Sequence, residues 1–278
     1  MMKKNTISTK DYDSTDLNNP FLSELFALFR YRELARQMIS RSIKTRYKRS
    51  FLGVIWTMLN PLLTMIVLTL VFSALFRFQI EHYPVYILSG LLVWNFFSSS
   101  TSLAMGEMLW SGDLLKRIYL PKGIFVISTI GSGLVNMGLS LVPLILIMLV
   151  TKAPITPALI ILPLSILILS FFAMGVGFFL STAVIYFQDI MPIYEVILMI
   201  GMYASPIIYP IEIIPEKWIW VMHLNPIYYF LQCFRDPIFM GQFPSLKTLV
   251  ISALIAVGTL LLGWFVFTQK VNEYAYRA

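Results

Sequence analysis

The fold is decided by residues 30–76, which read RYRELARQMISRSIKTRYKRSFLGVIWTMLNPLLTMIVLTLVFSALF. Their first part is rich in arginine and lysine, whereas residues 51–76 carry no charged side chain. A charge-free run of this length exceeds the ~20 residues that an α-helix needs to cross the hydrocarbon core of a bilayer. Basic segments next to a membrane span stay on the cytoplasmic side. The chain is therefore predicted to begin in the cytoplasm and to enter the membrane near Phe51.

Composition favours a polytopic membrane protein. Hydrophobic residues make up 58% of the chain and charged residues 13%, against about 25% charged in soluble domains. The net charge of +7 does not indicate nucleic-acid binding, because membrane topology alone enriches Lys and Arg on the cytoplasmic side. We therefore expect membrane lipids, and no nucleic acid, among the partners.

Six charge-poor stretches are predicted to be transmembrane helices, at residues 51–76, 83–106, 123–151, 153–188, 190–211 and 248–269. Six spans place both termini in the cytoplasm. Of the 21 Lys and Arg residues, only five then lie outside, namely Arg77, Lys152, Lys217, Arg235 and Lys247. That distribution agrees with the positive-inside rule.

The segment 218–234 is also free of charge, but Asn225-Pro226 interrupts it. Proline removes a helical hydrogen bond, and the residue before it avoids the α conformation. We expect two short helices, at about 215–224 and 226–240, in a re-entrant hairpin on the outer side. The predicted fold class is an all-α integral membrane protein. Residues 1–20 are predicted to form a disordered cytoplasmic tail, residues 21–50 a cytoplasmic amphipathic and basic interface segment, and residues 51–278 a six-span domain.

The interface segment is predicted to begin with an amphipathic helix at Pro20. Apolar residues recur there at helical spacing, namely Phe21, Leu25, Phe26 and Phe29. Such a helix either rests in the lipid headgroups or docks a cytoplasmic partner. Both alternatives stay open on the residues alone.

The connection between the second and third spans, residues 107–122, mixes both charge signs with apolar side chains. Its candidate functional residues are Trp110, Asp113, Leu114, Leu115, Lys116 and Arg117. The pattern indicates a short cytoplasmic helix with an apolar face to bury, either on headgroups or on a partner.

Polar residues within or beside the spans form a second group of candidates. Arg46, Asp189 and Glu195 are expected at the cytoplasmic mouth of the bundle, because ionisable groups at membrane depth face a cavity or a partner. Asn60, Asn95 and Asn136 are compatible with helix packing or with lining a pore, and the sequence favours packing.

Aromatic residues make up 15% of the chain. Singly, each one is typical of an interfacial belt. As a group they are also candidates for lining a conduit or gate, because aromatic faces cover the apolar faces of sugar rings. These candidates are Trp94, Phe97, Tyr203, Tyr209, Trp218, Trp220, Tyr228 and Tyr229.

Motifs for chemistry are missing from the sequence. No G-x-x-x-x-G-K-[ST] phosphate loop occurs, so ATP hydrolysis is not expected on this chain. With isolated histidines, His82 and His223, and a lone Cys233, no metal site, bound cofactor or catalytic nucleophile is predicted. The sequence indicates a conduit that takes its energy from elsewhere.

Four ordered motifs resemble the ABC-2 type polysaccharide export permeases, the membrane subunits of O-antigen, capsule-type and teichoic acid ABC exporters. The first is RQMISRSIKTRYKRSFLGVIW at 36–56, followed by Asn60-Pro61. The others are LKRI at 115–118 with Pro121, FQDI at 187–190, and SPIIYP at 205–210 continuing to Asn225-Pro226 and Arg235. Gln188 departs from the pattern, because relatives often carry a basic residue before the aspartate.

The resemblance implies a homodimer served by two copies of a separate ABC ATPase subunit, which binds ATP and Mg. The amphipathic N-terminal helix and the loop after span two would contact that ATPase. The outer hairpin would act as a gate, and a conduit partly lined by aromatic residues would lie between the protomers. The implied cargo is a lipid-linked polysaccharide, moved across the bacterial cytoplasmic membrane.

Other functions remain open. An ABC-2 permease for a drug or a small lipid would share these motifs. A membrane scaffold for glycan synthesis would need no transport, and an ion-coupled carrier would need more buried charges than this sequence shows.

Overall fold

The computed structural model describes residues 20–48, 51–76, 81–110 and 120–270, and all regular structure within them is helical. The α-helices are α1 (Pro20–Arg30), α2 (Arg32–Tyr47), α3 (Ile55–Phe76), α4 (Tyr83–Trp110), α5 (Gly123–Thr151), α6 (Leu162–Tyr186), α7 (Ile190–Tyr203), α8 (Ile219–Leu224), α9 (Pro226–Arg235) and α10 (Leu246–Lys270). Short 3₁₀ turns at Pro157–Ile161, Ile211–Ile213 and Glu216–Trp218 and a π turn at Asp236–Met240 connect them.

Within those described residues, five segments are long and apolar enough to cross a membrane. They are Ile55–Ser73, Tyr83–Trp110, Gly123–Thr151, Pro157–Tyr186 and Leu246–Lys270. The all-helical class is confirmed, and these five segments overlap five of the six predicted spans; the six-span layout stays a prediction. The third span matches its predicted bounds.

Helix α4 is the centre of the bundle and packs against α3, α5, α6, α7 and α9. In the most apolar stretch of α4, 72% of the residues are buried, whereas in the corresponding stretch of α3 only 11% are buried. Helix α10 lies along α6, and the basic helix α2 lies along α5. α3 therefore presents most of its surface to lipid or to another chain.

Two predicted boundaries are wrong. The fifth span was expected to run to Ile211, but α7 ends at Tyr203 and spans 14 residues. At 1.5 Å per residue this helix is shorter than the ~30 Å hydrocarbon core. Ser205-Pro206 ends it, since a residue before proline avoids the α conformation. The second span continues past Gly106 to Trp110, so part of the expected loop 107–122 belongs to the long helix.

Helices α6 and α10 approach each other closely through two glycines. A Cβ added at Gly175 would lie 2.5 Å from the backbone of Thr259 and Leu260, and one added at Gly263 would collide with the carbonyl of Gly175. Small residues allow such close approach in membranes, where apolar side chains gain little from meeting one another. This crossing fixes the position of α10 in the bundle.

Gly263→Ala is expected to destabilise the protein by about 1–3 kcal/mol, because the new methyl group forces two helix backbones apart. Gly258→Ala is the matched control, because it lies on the same helix with no atom within 4 Å of an added Cβ. The measurement is the thermal unfolding midpoint in detergent. Equal midpoints for the two variants would show that the crossing does not hold α10.

Candidate functional site

The end of the bundle where α5 begins and α10 ends carries the N-terminal helices. The Glu24 carboxylate accepts a hydrogen bond from the backbone N–H of Gly123, at 3.3 Å, where a negative charge stabilises the N-terminus of α5. Phe21 packs edge-to-face on Trp264 of α10, with 6.1 Å between ring centroids. Burial raises the pKa of Glu24, opposed by this hydrogen bond and by Lys122. Helix α1 is therefore attached to both α5 and α10.

The rest of the amphipathic face of α1 is uncovered. Phe26 and Phe29 are each 69% exposed, and Leu25 is also exposed. The predicted apolar set is thus divided, with Phe21 holding the helix in place and the other three available to lipid or a partner. Trp110, at the end of α4, is exposed as well. Asp113, Leu114, Leu115, Lys116 and Arg117 lie outside the described residues.

A basic cavity of about 470 Å³ lies between α2, the end of α4 and the start of α5. Its lining includes Arg41, Arg46, Glu107 and Trp110. Arg46 also lines a second cavity of about 460 Å³, which extends between α3, α4 and α5. Arg46 therefore stands where a basic end cavity meets a cleft at membrane depth.

We name this second cavity the polar cleft and define it by six side chains, Asn60, Thr64, Asn95, Ser99, Asn136 and Ser140. Each of the three helices contributes one amide and one hydroxyl. The sequence favoured a packing role for the three asparagines, but the structure places all three in the wall of one cleft. The hydroxyl members were missed, although Asn-x-x-x-Ser/Thr recurs in the three spans.

The carboxylates predicted at the cytoplasmic mouth, Asp189 and Glu195, do not line the two cavities that Arg46 lines. Asp189 directly precedes α7 and Glu195 lies on it, and both are exposed. Among the described residues neither carboxylate forms an ion pair. Helix α7 is held instead through Tyr194, whose hydroxyl lies 2.7 Å from the Thr101 hydroxyl.

The predicted conduit aromatics divide into two groups. Trp94, Phe97 and Tyr228 are buried, and Phe97 stacks on Phe172 with ring centroids 5.2 Å apart. These three side chains pack the interior of the subunit. The exposed ones are Tyr203, Trp218 and Trp220, with Tyr209 and Tyr229 partly exposed. A lining role remains a prediction for this second group.

The predicted hairpin breaks at Asn225, as expected, with α8 before it and α9 after it. The Asn225 side chain accepts a hydrogen bond from the N–H of Ile227 at 3.0 Å. Its amide nitrogen donates to the Ser205 hydroxyl at 2.8 Å. One asparagine thus caps α9 and holds the segment that follows α7.

Arg235 is the central side chain of this hairpin, and it is only 9% exposed. Its guanidinium lies 3.7 Å from the centre of the Tyr86 ring. It donates hydrogen bonds to the carbonyl oxygens of Pro206 at 2.8 Å and of Ile207 and Tyr86 at 3.3 Å each. Gly90 leaves room for it, because an added Cβ there would lie 2.5 Å from Arg235 Nη2.

Two tyrosines of α4, Tyr83 and Tyr86, also bind the segment that follows α7. The Tyr83 hydroxyl donates to the carbonyl of Ile208 at 2.8 Å, and that of Tyr86 donates to the carbonyl of Tyr209 at 2.9 Å. The motif SPIIYP at 205–210 is therefore a non-helical segment whose carbonyl groups are satisfied by α4 and α9. Burial raises the pKa of Asp236, the next residue after Arg235, to about 6.

The family model for the ABC-2 type transporter matches residues 33–239. The chain belongs to this family of membrane subunits. The match begins in the basic helix α2 and ends in the π turn after Arg235, so it covers both the polar cleft and the anchored hairpin. The protein is an integral membrane protein of the permease type.

Curated relatives align over most of their length. The O-antigen export system permease protein RfbA of Myxococcus xanthus is 29% identical over 252 residues, which cover 89% of this chain and 96% of the relative. RfbA of Klebsiella pneumoniae is 28% identical over 85% of this chain and 91% of the relative. The polysialic acid transport protein KpsM of Escherichia coli is 21% identical, over 83% of this chain and 90% of the relative.

Replacement of Arg235 is expected to loosen the hairpin of this ABC-2 permease. Arg235→Met keeps an apolar stem but leaves the carbonyl of Ile207 without its side-chain donor and that of Pro206 with only the Tyr86 hydroxyl, at a cost on the order of 3 kcal/mol. Gly90→Ala should act in the same direction by displacing the guanidinium. The measurement is the rate of limited proteolysis between residues 203 and 225. Lys247→Met is the control, because Lys247 is an exposed cation outside the cleaved window.

Unchanged cleavage in Arg235→Met would show that the tyrosines and Asn225 hold this segment without the arginine.

Proposed function

We propose that this protein is the permease subunit of an ATP-driven ABC exporter that moves a lipid-linked polysaccharide across the bacterial cytoplasmic membrane. The observation that carries the proposal is the near full-length similarity to permeases named for O-antigen export. The similarity to a polysialic acid transport protein supports the same cargo class. A glycan of the O-antigen or teichoic acid type is the cargo class that the motifs indicate.

The proposed assembly is a homodimer with two copies of an ABC ATPase subunit, and ATP and Mg bind on that subunit. In this arrangement α7 and the anchored segment after it serve as the fifth of six spans, and both termini lie in the cytoplasm. The basic residues of α2 support this orientation. The hairpin α8–α9 then lies at the outer surface, where it gates the exit.

Force from the ATPase would enter through α1 and through the segment after α4. Leu25, Phe26 and Phe29 form the exposed apolar face that a partner can cover. Helix α1 is tied to α5 through Glu24 and to α10 through Phe21. A displacement of α1 therefore moves two membrane helices together. ATP alters the conduit only if its bound and free states contact this face differently.

Depletion of the protein in its host is expected to trap lipid-linked glycan at the inner leaflet. The measurement is the fraction of polyprenyl-linked glycan that a lectin reaches in intact spheroplasts, and wild-type protein should restore that fraction. Unchanged lectin access after depletion would contradict the proposal.

Hydrolysis of ATP stimulated by an amphipathic drug, and not by the glycan, would favour a small-molecule permease. The absence of any cargo-stimulated hydrolysis would favour a scaffold.

The double variant Phe26→Ser/Phe29→Ser tests the coupling step in the same cells. Loss of two exposed aromatic rings removes apolar area that association with the ATPase would bury, so this variant should reach the membrane but neither retain the ATPase during purification nor restore export. Phe265→Ser is the control, because Phe265 is 54% exposed on α10. ATPase retention by the double variant would exclude coupling through α1.

A further inference from the structure

We propose that the polar cleft is a binding site for sugar hydroxyl groups of the cargo, built within each subunit. The proposal rests on the function proposed above and adds a place where the permease holds the glycan at membrane depth.

The same pair of side chains, an asparagine followed four residues later by a serine or threonine, occurs on each of the three helices that line the cleft. Asn60 and Thr64 of α3, Asn95 and Ser99 of α4, and Asn136 and Ser140 of α5 are each four residues apart. Side chains at i and i+4 lie on the same helix face, one above the other. Each helix thus presents an amide and a hydroxyl in a row, and the three rows border the same cavity of about 460 Å³.

The hydroxyl protons of these rows are already used. Thr64 donates to the carbonyl of Asn60 at 2.9 Å, Ser140 donates to that of Asn136 at 2.9 Å, and Ser99 donates to that of Asn95. A hydroxyl oxygen that donates in this way keeps lone pairs for accepting further hydrogen bonds. The rows therefore offer acceptors from the hydroxyls, and both donors and acceptors from the amides.

Two of the amides are exposed to the cleft side of the subunit without a protein partner. Asn60 and Asn95 are both exposed, and within the described part of the chain their side-chain amides make no hydrogen bond. An amide facing hydrocarbon costs several kcal/mol. Asn95 lies near the middle of α4, the helix at the centre of the bundle. It therefore faces water, a polar ligand or another subunit rather than lipid, and the chemistry of the cleft favours a polar ligand.

The chemistry of the lining selects the ligand. Among the described lining residues Arg46 is the single charge, and none is Asp or Glu. A cation site would need such carboxylates, and an apolar drug would leave the amides unpaired. Sugar hydroxyls both donate and accept, as do amides. Trp56, which is 51% exposed, adds an aromatic face in the same wall for the apolar side of a sugar ring.

Size and position agree with this assignment. The cleft falls within the range of about 300–1,000 Å³ for small-ligand sites. Arg46 lines both this cleft and the basic cavity at the end of the bundle. A glycan whose anionic head rests in the basic cavity would meet the amides with its first sugars.

The test uses the complete complex of this permease with its ATPase subunits in proteoliposomes, and the probe is lipid-linked glycan extracted from the host. Asn60→Leu/Asn95→Leu removes both amides and keeps the branching of the side chain, whereas Asn60→Gln/Asn95→Gln keeps the amides. Neither pair breaks a side-chain hydrogen bond of the described chain, so both should fold. The measurement is the glycan concentration that gives half-maximal stimulation of ATP hydrolysis.

The Leu pair is expected to raise that concentration about 30-fold, which corresponds to two lost hydrogen bonds. The Gln pair should shift it much less, and ATP hydrolysis without glycan should stay unchanged in both. A wild-type response in the Leu pair would overturn the cleft assignment and leave the proposed function standing. A Leu pair that alters only dimer dissociation would overturn it in favour of a contact between subunits. If wild-type protein does not respond to glycan, the proposed cargo and the cleft assignment both fail.

Discussion

The absence of water from the hydrocarbon core is the constraint on which this structure depends. Every backbone group at membrane depth must be bonded within the protein, so the spanning segments are helices. Hydroxyl side chains obey the same constraint by donating to the carbonyl one turn earlier, as Thr101 does to Phe97 at 2.8 Å and Thr182 to Phe178 at 2.9 Å. An amide has no equivalent way to satisfy all its polar atoms on its own helix. The positions of asparagine side chains therefore show where the bundle meets a polar environment.

Two regions meet that constraint in opposite ways. In the hairpin, Arg235, Tyr86 and Asn225 donate hydrogen bonds to backbone carbonyls of the non-helical segment after α7. In the polar cleft, Asn60 and Asn95 are left open. A saturated network makes a rigid element, and an open one makes a surface for a ligand. We infer that α4 carries both: its Tyr83 end anchors the gate, and its middle faces the cargo.

Periodicity and charge predicted the parts of the fold that follow from local sequence. The span 123–151, the helix start at Pro20 and the break at Asn225-Pro226 could be predicted because each depends on local composition or on proline chemistry. The end of α7 at Tyr203 was missed because residues 204–210 carry no charge, although Ser205-Pro206 is a local signal for it. The path of the chain after that proline depends on partners distant in the sequence. The anchoring role of Arg235 depends in the same way on Tyr86 and Gly90. Trp94 and Phe97 are aromatic, as residues that line a sugar conduit often are. Their burial inside the subunit depends on how the helices pack, which local sequence does not show. The cleft became visible only when three distant Asn-x-x-x-Ser/Thr pairs met on adjacent helices.

Cysteine accessibility tests whether the polar cleft is the water-facing surface of the bundle. Cys233 is the only cysteine and is buried, so Cys233→Ala gives a cysteine-free background. Asn95→Cys and Ser99→Cys then probe the cleft, and Val135→Cys and Val142→Cys probe exposed positions of α5 that do not line it. A charged, membrane-impermeant thiol reagent should label the cleft pair and leave the α5 pair unlabelled. Equal labelling of both pairs, or an unreactive cleft, would contradict the account.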